Sequence, residues 1–163
     1  MMKGKPWGAE KRVVRILKER GWQLATAESC TGGMIAERLT RVAGVSAVYH
    51  GGFVTYINDE KRRMLGVPAG LLSVKGAVSK ETARRMVLGA AEKCHADCAL
   101  SVTGNAGPSA LEGREVGLVY IGCLVRGKVV VRECRFKGNR STIRRKAALM
   151  ALLLLEEALE AQE

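Results

Sequence analysis

Residues 22–42 pass from a short apolar run, through Ser29-Cys30-Thr31-Gly32-Gly33, into a stretch with helical period. A strand, a glycine-rich turn and a helix in immediate succession restrict the chain to folds in which helices pack on a sheet. The rest of the sequence continues the alternation. Val13, Val14, Ile16 and Leu17 recur at helical spacing among charges, predicting a helix over 9–20 that Gly21 closes. Residues 22–28 read as strand and 32–42 as a second helix. Residues 48–57, rich in β-branched and aromatic side chains, read as a strand. Asp59 is placed to N-cap a short helix carrying Lys61, Met64 and Leu65. Residues 79–94 form the clearest amphipathic pattern, with Ser79, Glu81 and Thr82 at its start. A strand over 97–103 and a Gly/Pro loop over 104–113 follow. Residues 116–125 and 129–136 flank Arg126-Gly127-Lys128 as a hairpin, and 140–160 form a closing helix.

Early alternation and a late hairpin predict an α/β fold, a three-layer α/β/α sandwich with a mixed sheet. The 163 residues fit one domain over 1–163, which can bury a core without disulfide or metal. Residues 1–8 read as a loose leader and 156–163 as an acidic tail. The charge of +11, from 27 basic and 16 acidic residues, permits nucleic acid, acidic membranes or phosphorylated substrates as partners. Aromatics at 4% leave little to stack bases, which argues against nucleic acid. Residues 147–155 are the longest apolar run and too short to span a bilayer. They read as the buried stretch of a helix, available either to the core or to self-association. Five cysteines without a signal peptide read as reduced thiols, giving a cytoplasmic expectation.

In such folds, sites gather where strands end. Three segments end that way: Glu28-Ser29-Cys30-Thr31-Gly32-Gly33, Thr55-Tyr56-Ile57-Asn58 and Thr103-Gly104-Asn105-Ala106-Gly107-Pro108. The first places the Ser29 hydroxyl at a helix start, where unpaired N–H groups can hold an anion or an oxyanion. An N-capping serine on a glycine-rich turn is the plainer account. A serine nucleophile needs a base. The two histidines, His50 and His95, have no evident positioning, which turns attention to lysine. Lys61 has Arg62 and Arg63 beside it, and burial or neighbouring cations would lower its pKa. Cys30 is a rival nucleophile, since helix starts lower thiol pKa values. Tyr56 could relay a proton or simply pack. Arg140 and Arg144, at i, i+4 spacing, could fork onto a phosphate or form a solvated basic face. Cys94-His95-Ala96-Asp97-Cys98 fits no standard zinc spacing.

Taken together, the segments resemble the CinA C-terminal domain family, the nicotinamide-nucleotide amidases. The likeness rests on Ala27-Glu28-Ser29-Cys30-Thr31-Gly32-Gly33, on Gly51-Gly52-Phe53-Val54-Thr55-Tyr56 with Asn58 and Lys61, and on Gly76-Ala77-Val78-Ser79. It continues with Thr103-Gly104, Ala106-Gly107-Pro108, Val116-Gly117, Gly138 and Arg140. The resemblance implies hydrolysis of the carboxamide of nicotinamide mononucleotide to the acid and ammonia, with no metal and no cofactor. It implies Ser29 as nucleophile, Lys61 as base and Tyr56 as an assisting hydroxyl. Cys30, Thr31, Gly32, Gly33, Thr103, Gly104, Asn105 and Arg140 are the expected substrate contacts, and a homo-oligomer is expected. Asn105 stands where the family often has Ile or Val, Ser109-Ala110 where Gly-Gly is frequent, and Asn139 where Asp is common. Two rival functions stay open: an amidase for another small molecule, and a competence-related binding module without catalysis.

Overall fold

The computed structural model describes residues 8–162; the expected leader therefore lies, apart from Gly8, outside the described residues. Five strands form one sheet: β1 (Leu24–Glu28), β2 (Tyr49–Val54), β3 (Cys98–Gly104), β4 (Leu118–Val125) and β5 (Lys128–Arg135), in the order β2-β1-β3-β4-β5. β1 runs parallel to β2 and β3, whereas β3, β4 and β5 pair antiparallel. The sheet is thus mixed, as expected. β1 and β4 are buried along their whole length, because helices cover both faces of the sheet.

One face carries α1 (Ala9–Arg20), α2 (Met34–Thr40) and α6 (Arg140–Glu160). Val13, Leu17, Ile35, Leu39, Ile143, Leu152 and Leu155 pack there with Leu24, Leu100, Val102 and Ile121. The other face carries α3 (Asn58–Leu65), α4 (Ala69–Lys75) and α5 (Lys80–Cys94). Leu65, Leu72, Met86, Val87 and Ala90 meet Ala25, Ala27 and Ala99 there. Leu24 and Ala25 belong to opposite cores, the period-two alternation of a strand. At Gly89 any side-chain carbon would stand 2.1 Å from the Leu65 carbonyl, so glycine is what lets α3 close down on α5.

Local chemistry accounts for most element ends. Gly21 closes α1 at φ 65 in the left-handed region. The Ser79 side chain accepts from the Thr82 N–H at the start of α5. Arg126 and Gly127, at φ 47 and 82, make the two-residue connection between β4 and β5. Five expectations need correction. α4 lies where no helix was expected. α3 begins after Ile57 with no side-chain cap, so Asp59 sits inside the first turn rather than capping it. β2 stops at Val54, and α2 spans only Met34–Thr40. The acidic end of the chain is not simply a tail: Glu156 is buried and takes a forked pair of hydrogen bonds from Arg12. Residues 147–155 lie in α6, and all but two of them are buried. Among the described residues no helix is long and apolar enough to cross a membrane.

Candidate active site

The carboxyl ends of β1, β2 and β3 converge, as their parallel registers require. Ser29 follows β1 directly, and its N–H donates to the Val102 carbonyl of β3 at 2.9 Å. Thr55 follows β2, and its N–H donates to the Glu28 carbonyl at 2.9 Å. Lys61 lies one turn into α3, only 1% exposed. Its Nζ stands 3.0 Å from Ser29 Oγ, 2.9 Å from the Thr55 carbonyl and 3.5 Å from the Tyr56 carbonyl. Two carbonyls can take two amine protons. The remaining tetrahedral position faces the serine, and in the neutral amine it is a lone pair able to accept the serine proton.

Burial lowers the Lys61 pKa to about 8. Glu112 acts in the opposite direction. The neighbouring cations invoked from the sequence are not the cause. Arg62 and Arg63 are exposed and pair with Asp59 and Glu60. Burial also decides against Cys30 as the nucleophile. Its thiol is pushed up to about 12, so it stays protonated and adds no countercharge beside Lys61 near pH 8.

The turn after Ser29 is fastened by Glu28, which the sequence did not single out, and by Arg144, which it offered with Arg140 as a fork for a phosphate. The Glu28 carboxylate, 1% exposed, accepts from the N–H groups of Ile35 and Ala36 at 2.9 and 3.1 Å. These are first-turn donors of α2, so the helix start itself is occupied by a carboxylate from β1 and is not the anion site. A charge at the end of an apolar strand was the available signal, because a buried carboxylate needs partners. Within the turn, the Gly32 N–H donates to the Ser29 carbonyl and the Met34 N–H to the Thr31 carbonyl. The N–H groups of Cys30, Thr31 and Gly33 make no hydrogen bond among the described residues. Arg144, from α6, donates through Nε to the Cys30 carbonyl at 2.9 Å and through Nη2 to the Thr31 carbonyl at 3.2 Å.

The other expected contacts are dispersed. Tyr56 does not bring its hydroxyl to Lys61; that hydroxyl accepts from Arg140 Nη2 at 2.5 Å. Arg140 Nη1 donates to the Gly107 carbonyl at 2.7 Å. Thr103 spends its hydroxyl on the Ala77 carbonyl. Asn105 ties its own loop, with Oδ1 accepting from the Gly107 N–H and Nδ2 donating to the Arg114 carbonyl. Glu112 fastens the same loop to the approach of α5 by accepting from the N–H groups of Ala77 and Val78. His50 and His95 are remote, on β2 and at the far end of α5. A cavity lined by Arg85, Glu92, His95 and Arg126 lies at the opposite end of the sheet from Ser29.

Residues 8–159 match the family described as the CinA C-terminal domain. A CinA-like protein of Geobacter sulfurreducens is 49% identical over 141 residues, covering 86% of this chain and 34% of the relative. A CinA-like protein of Kosmotoga olearia is 44% identical over 151 residues, 92% of this chain and 37% of the relative. The chain thus spans about a third of the length of these relatives. Among solved structures, the competence damage-inducible protein A of Klebsiella pneumoniae superposes with a TM-score of 0.94 at 37% identity, covering 98% of this chain and all of that one. The competence/damage inducible protein CihA of Agrobacterium tumefaciens gives 0.90 at 42% identity, covering 98% of each chain. Both sequence and fold therefore agree that this chain belongs to the CinA C-terminal domain family.

Proposed function

We propose that the chain is an amidohydrolase that converts nicotinamide mononucleotide to nicotinate mononucleotide and ammonia through an acyl-enzyme on Ser29. The observation that carries the reading is the buried Lys61 Nζ at 3.0 Å from Ser29 Oγ, with its pKa lowered to about 8. A lysine held there is a base matched to near-neutral pH. Neutral Lys61 takes the Ser29 proton as Oγ attacks the carboxamide carbon. The oxyanion is held by the turn N–H groups of Cys30 and Gly33, each such donor contributing roughly 3–4 kcal/mol. Lys61 then passes its proton to the departing nitrogen, and ammonia leaves. Water attacks the ester with Lys61 again as base, and the proton returns to Ser29 Oγ.

An anionic substrate is supported by the start of α6. Its first two turns carry Arg140, Arg144, Arg145 and Lys146, with no acid in the first turn. Cations there oppose the helix dipole, a cost that an arriving phosphate offsets. Arg140 is the exposed member beside the site and the phosphate ligand in this reading.

The test is ammonia release from nicotinamide mononucleotide by purified protein, with Ser29→Ala in parallel. Release by the wild type alone is expected. No release from folded wild type would move the reading to another carboxamide or to a binding role. Equal release by Ser29→Ala would remove the nucleophile.

A further inference from the structure

We infer that Arg144 is a positioning residue that aims the oxyanion-binding backbone of the Ser29 turn, and not a ligand for the substrate's phosphate. The inference rests on the reading of Ser29 as nucleophile. Its basis is the pair of hydrogen bonds from one guanidinium to two consecutive carbonyls, Cys30 and Thr31. In a planar trans peptide the C=O and the following N–H point in opposite directions. Holding the Cys30 carbonyl toward α6 therefore turns the Thr31 N–H away from α6. Holding the Thr31 carbonyl does the same for the Gly32 N–H, which is found on the Ser29 carbonyl at 3.0 Å.

Other donors around the turn are already committed. Gly32 and Met34 bond within the turn, and Ile35 and Ala36 bond to Glu28. Of the three that remain, Thr31 is fully buried, which closes its N–H to a substrate; the accessible donors are the Cys30 and Gly33 N–H groups, on the two peptides that flank those Arg144 holds. The turn's own side chain does not do this work, because the Thr31 hydroxyl has no partner among the described residues. The space for the guanidinium is kept by Gly32, where a side-chain carbon would stand 3.0 Å from Arg144 Nη2 and where φ is +58. A planar fork can hold two carbonyls at fixed directions; a lysine ammonium is a single point and cannot hold both in the same way.

The test compares wild type, Arg144→Lys and Arg144→Gln in two assays. One is steady-state turnover of nicotinamide mononucleotide. The other is the rate at which a fluorophosphonate labels Ser29, a reaction that uses the oxyanion site but carries no nucleotide. Thermal unfolding of each variant accompanies both. Arg144→Gln is expected to lower kcat and the labelling rate together by about 10²-fold. KM should stay within about threefold, and Arg144→Lys should fall between. A raised KM with kcat and labelling intact would overturn the inference in favour of a phosphate ligand. A lowered melting temperature with both rates unchanged would make Arg144 merely structural. Wild type that is labelled but inert toward the mononucleotide would sink the substrate and leave the labelling comparison to decide Arg144. Wild type that is neither labelled nor active would overturn both readings.

Discussion

Arg140 and Tyr56 meet across the mouth of the site, guanidinium to hydroxyl at 2.5 Å. The same guanidinium holds the Gly107 carbonyl, so α6 is joined to the loops that follow β2 and β3. Tyr56 is 53% exposed and serves Arg140 rather than Lys61 in this arrangement. Tyr56→Phe should therefore raise KM for the mononucleotide several-fold by loosening Arg140. The lower limb of the pH–rate profile should stay where Lys61 sets it. A displaced limb would show that the hydroxyl acts on the lysine during turnover.

In the proposed mechanism Lys61 sets that limb, because only its neutral form can accept the serine proton. With the pKa lowered to about 8, kcat/KM should rise with pH through about 8 and then level off. Lys61→Arg should be inactive at every pH, because a guanidinium does not release its proton. Steady-state rates from pH 6 to 10 check both statements, and activity in Lys61→Arg would remove the lysine from the chemistry.

The same burial has a signature in stability. A lysine that titrates near 8 when folded and near its ordinary value of 10.5 when unfolded leaves the unfolded chain binding more protons between those limits. Stability from this group therefore rises with pH across that window and is missing below it. Denaturant unfolding of wild type and Lys61→Met should show the difference between them moving in favour of wild type by roughly 3 kcal/mol from pH 7.5 to 10.5. A constant difference would mean that the folded lysine keeps its ordinary pKa.

Glu28 should be as costly to remove as a core residue. Glu28→Ala leaves two N–H groups of α2 without partners inside the protein, at about 3 kcal/mol together. Glu28→Gln should also fail to restore the wild type, since its amide nitrogen would face an N–H donor. Chemical denaturation measures the loss, and a change below 1 kcal/mol would show that the turn does not depend on this carboxylate.

Much of this arrangement was legible in the sequence where local chemistry decides the outcome. The Ser79 cap, the Gly21 stop and the turn at Arg126-Gly127 each specify their element end. α4 was not legible because Ala69–Lys75 has no capping side chain and contains Gly70, a poor helix former. Its helix is held by Leu72 packing in the core beside α5. At the site, the shortage of histidines and the family resemblance pointed to Ser29 and Lys61. What was not legible was how Lys61 is tuned. The sequence offers Arg62 and Arg63 as neighbours, whereas helix phase sends them to solvent and turns Lys61 inward. Arg144 and Glu28 were unreadable as anchors because their partners are backbone groups, which carry no side-chain signature.

The Glu28 anchor separates two things that can change independently. The nucleophile's turn is fixed by the strand before it and by α6, and it borrows nothing from the loop over 105–117. That loop is tied to the approach of α5 by Glu112, to α6 by Arg140 and to itself by Asn105. Substitutions in it, at Asn105 or at Ser109-Ala110, can therefore reshape the loop while Ser29 and Lys61 keep their contact. The architecture lets this loop vary while the backbone around Ser29 stays in place, with Glu112 the position through which the loop still acts on Lys61.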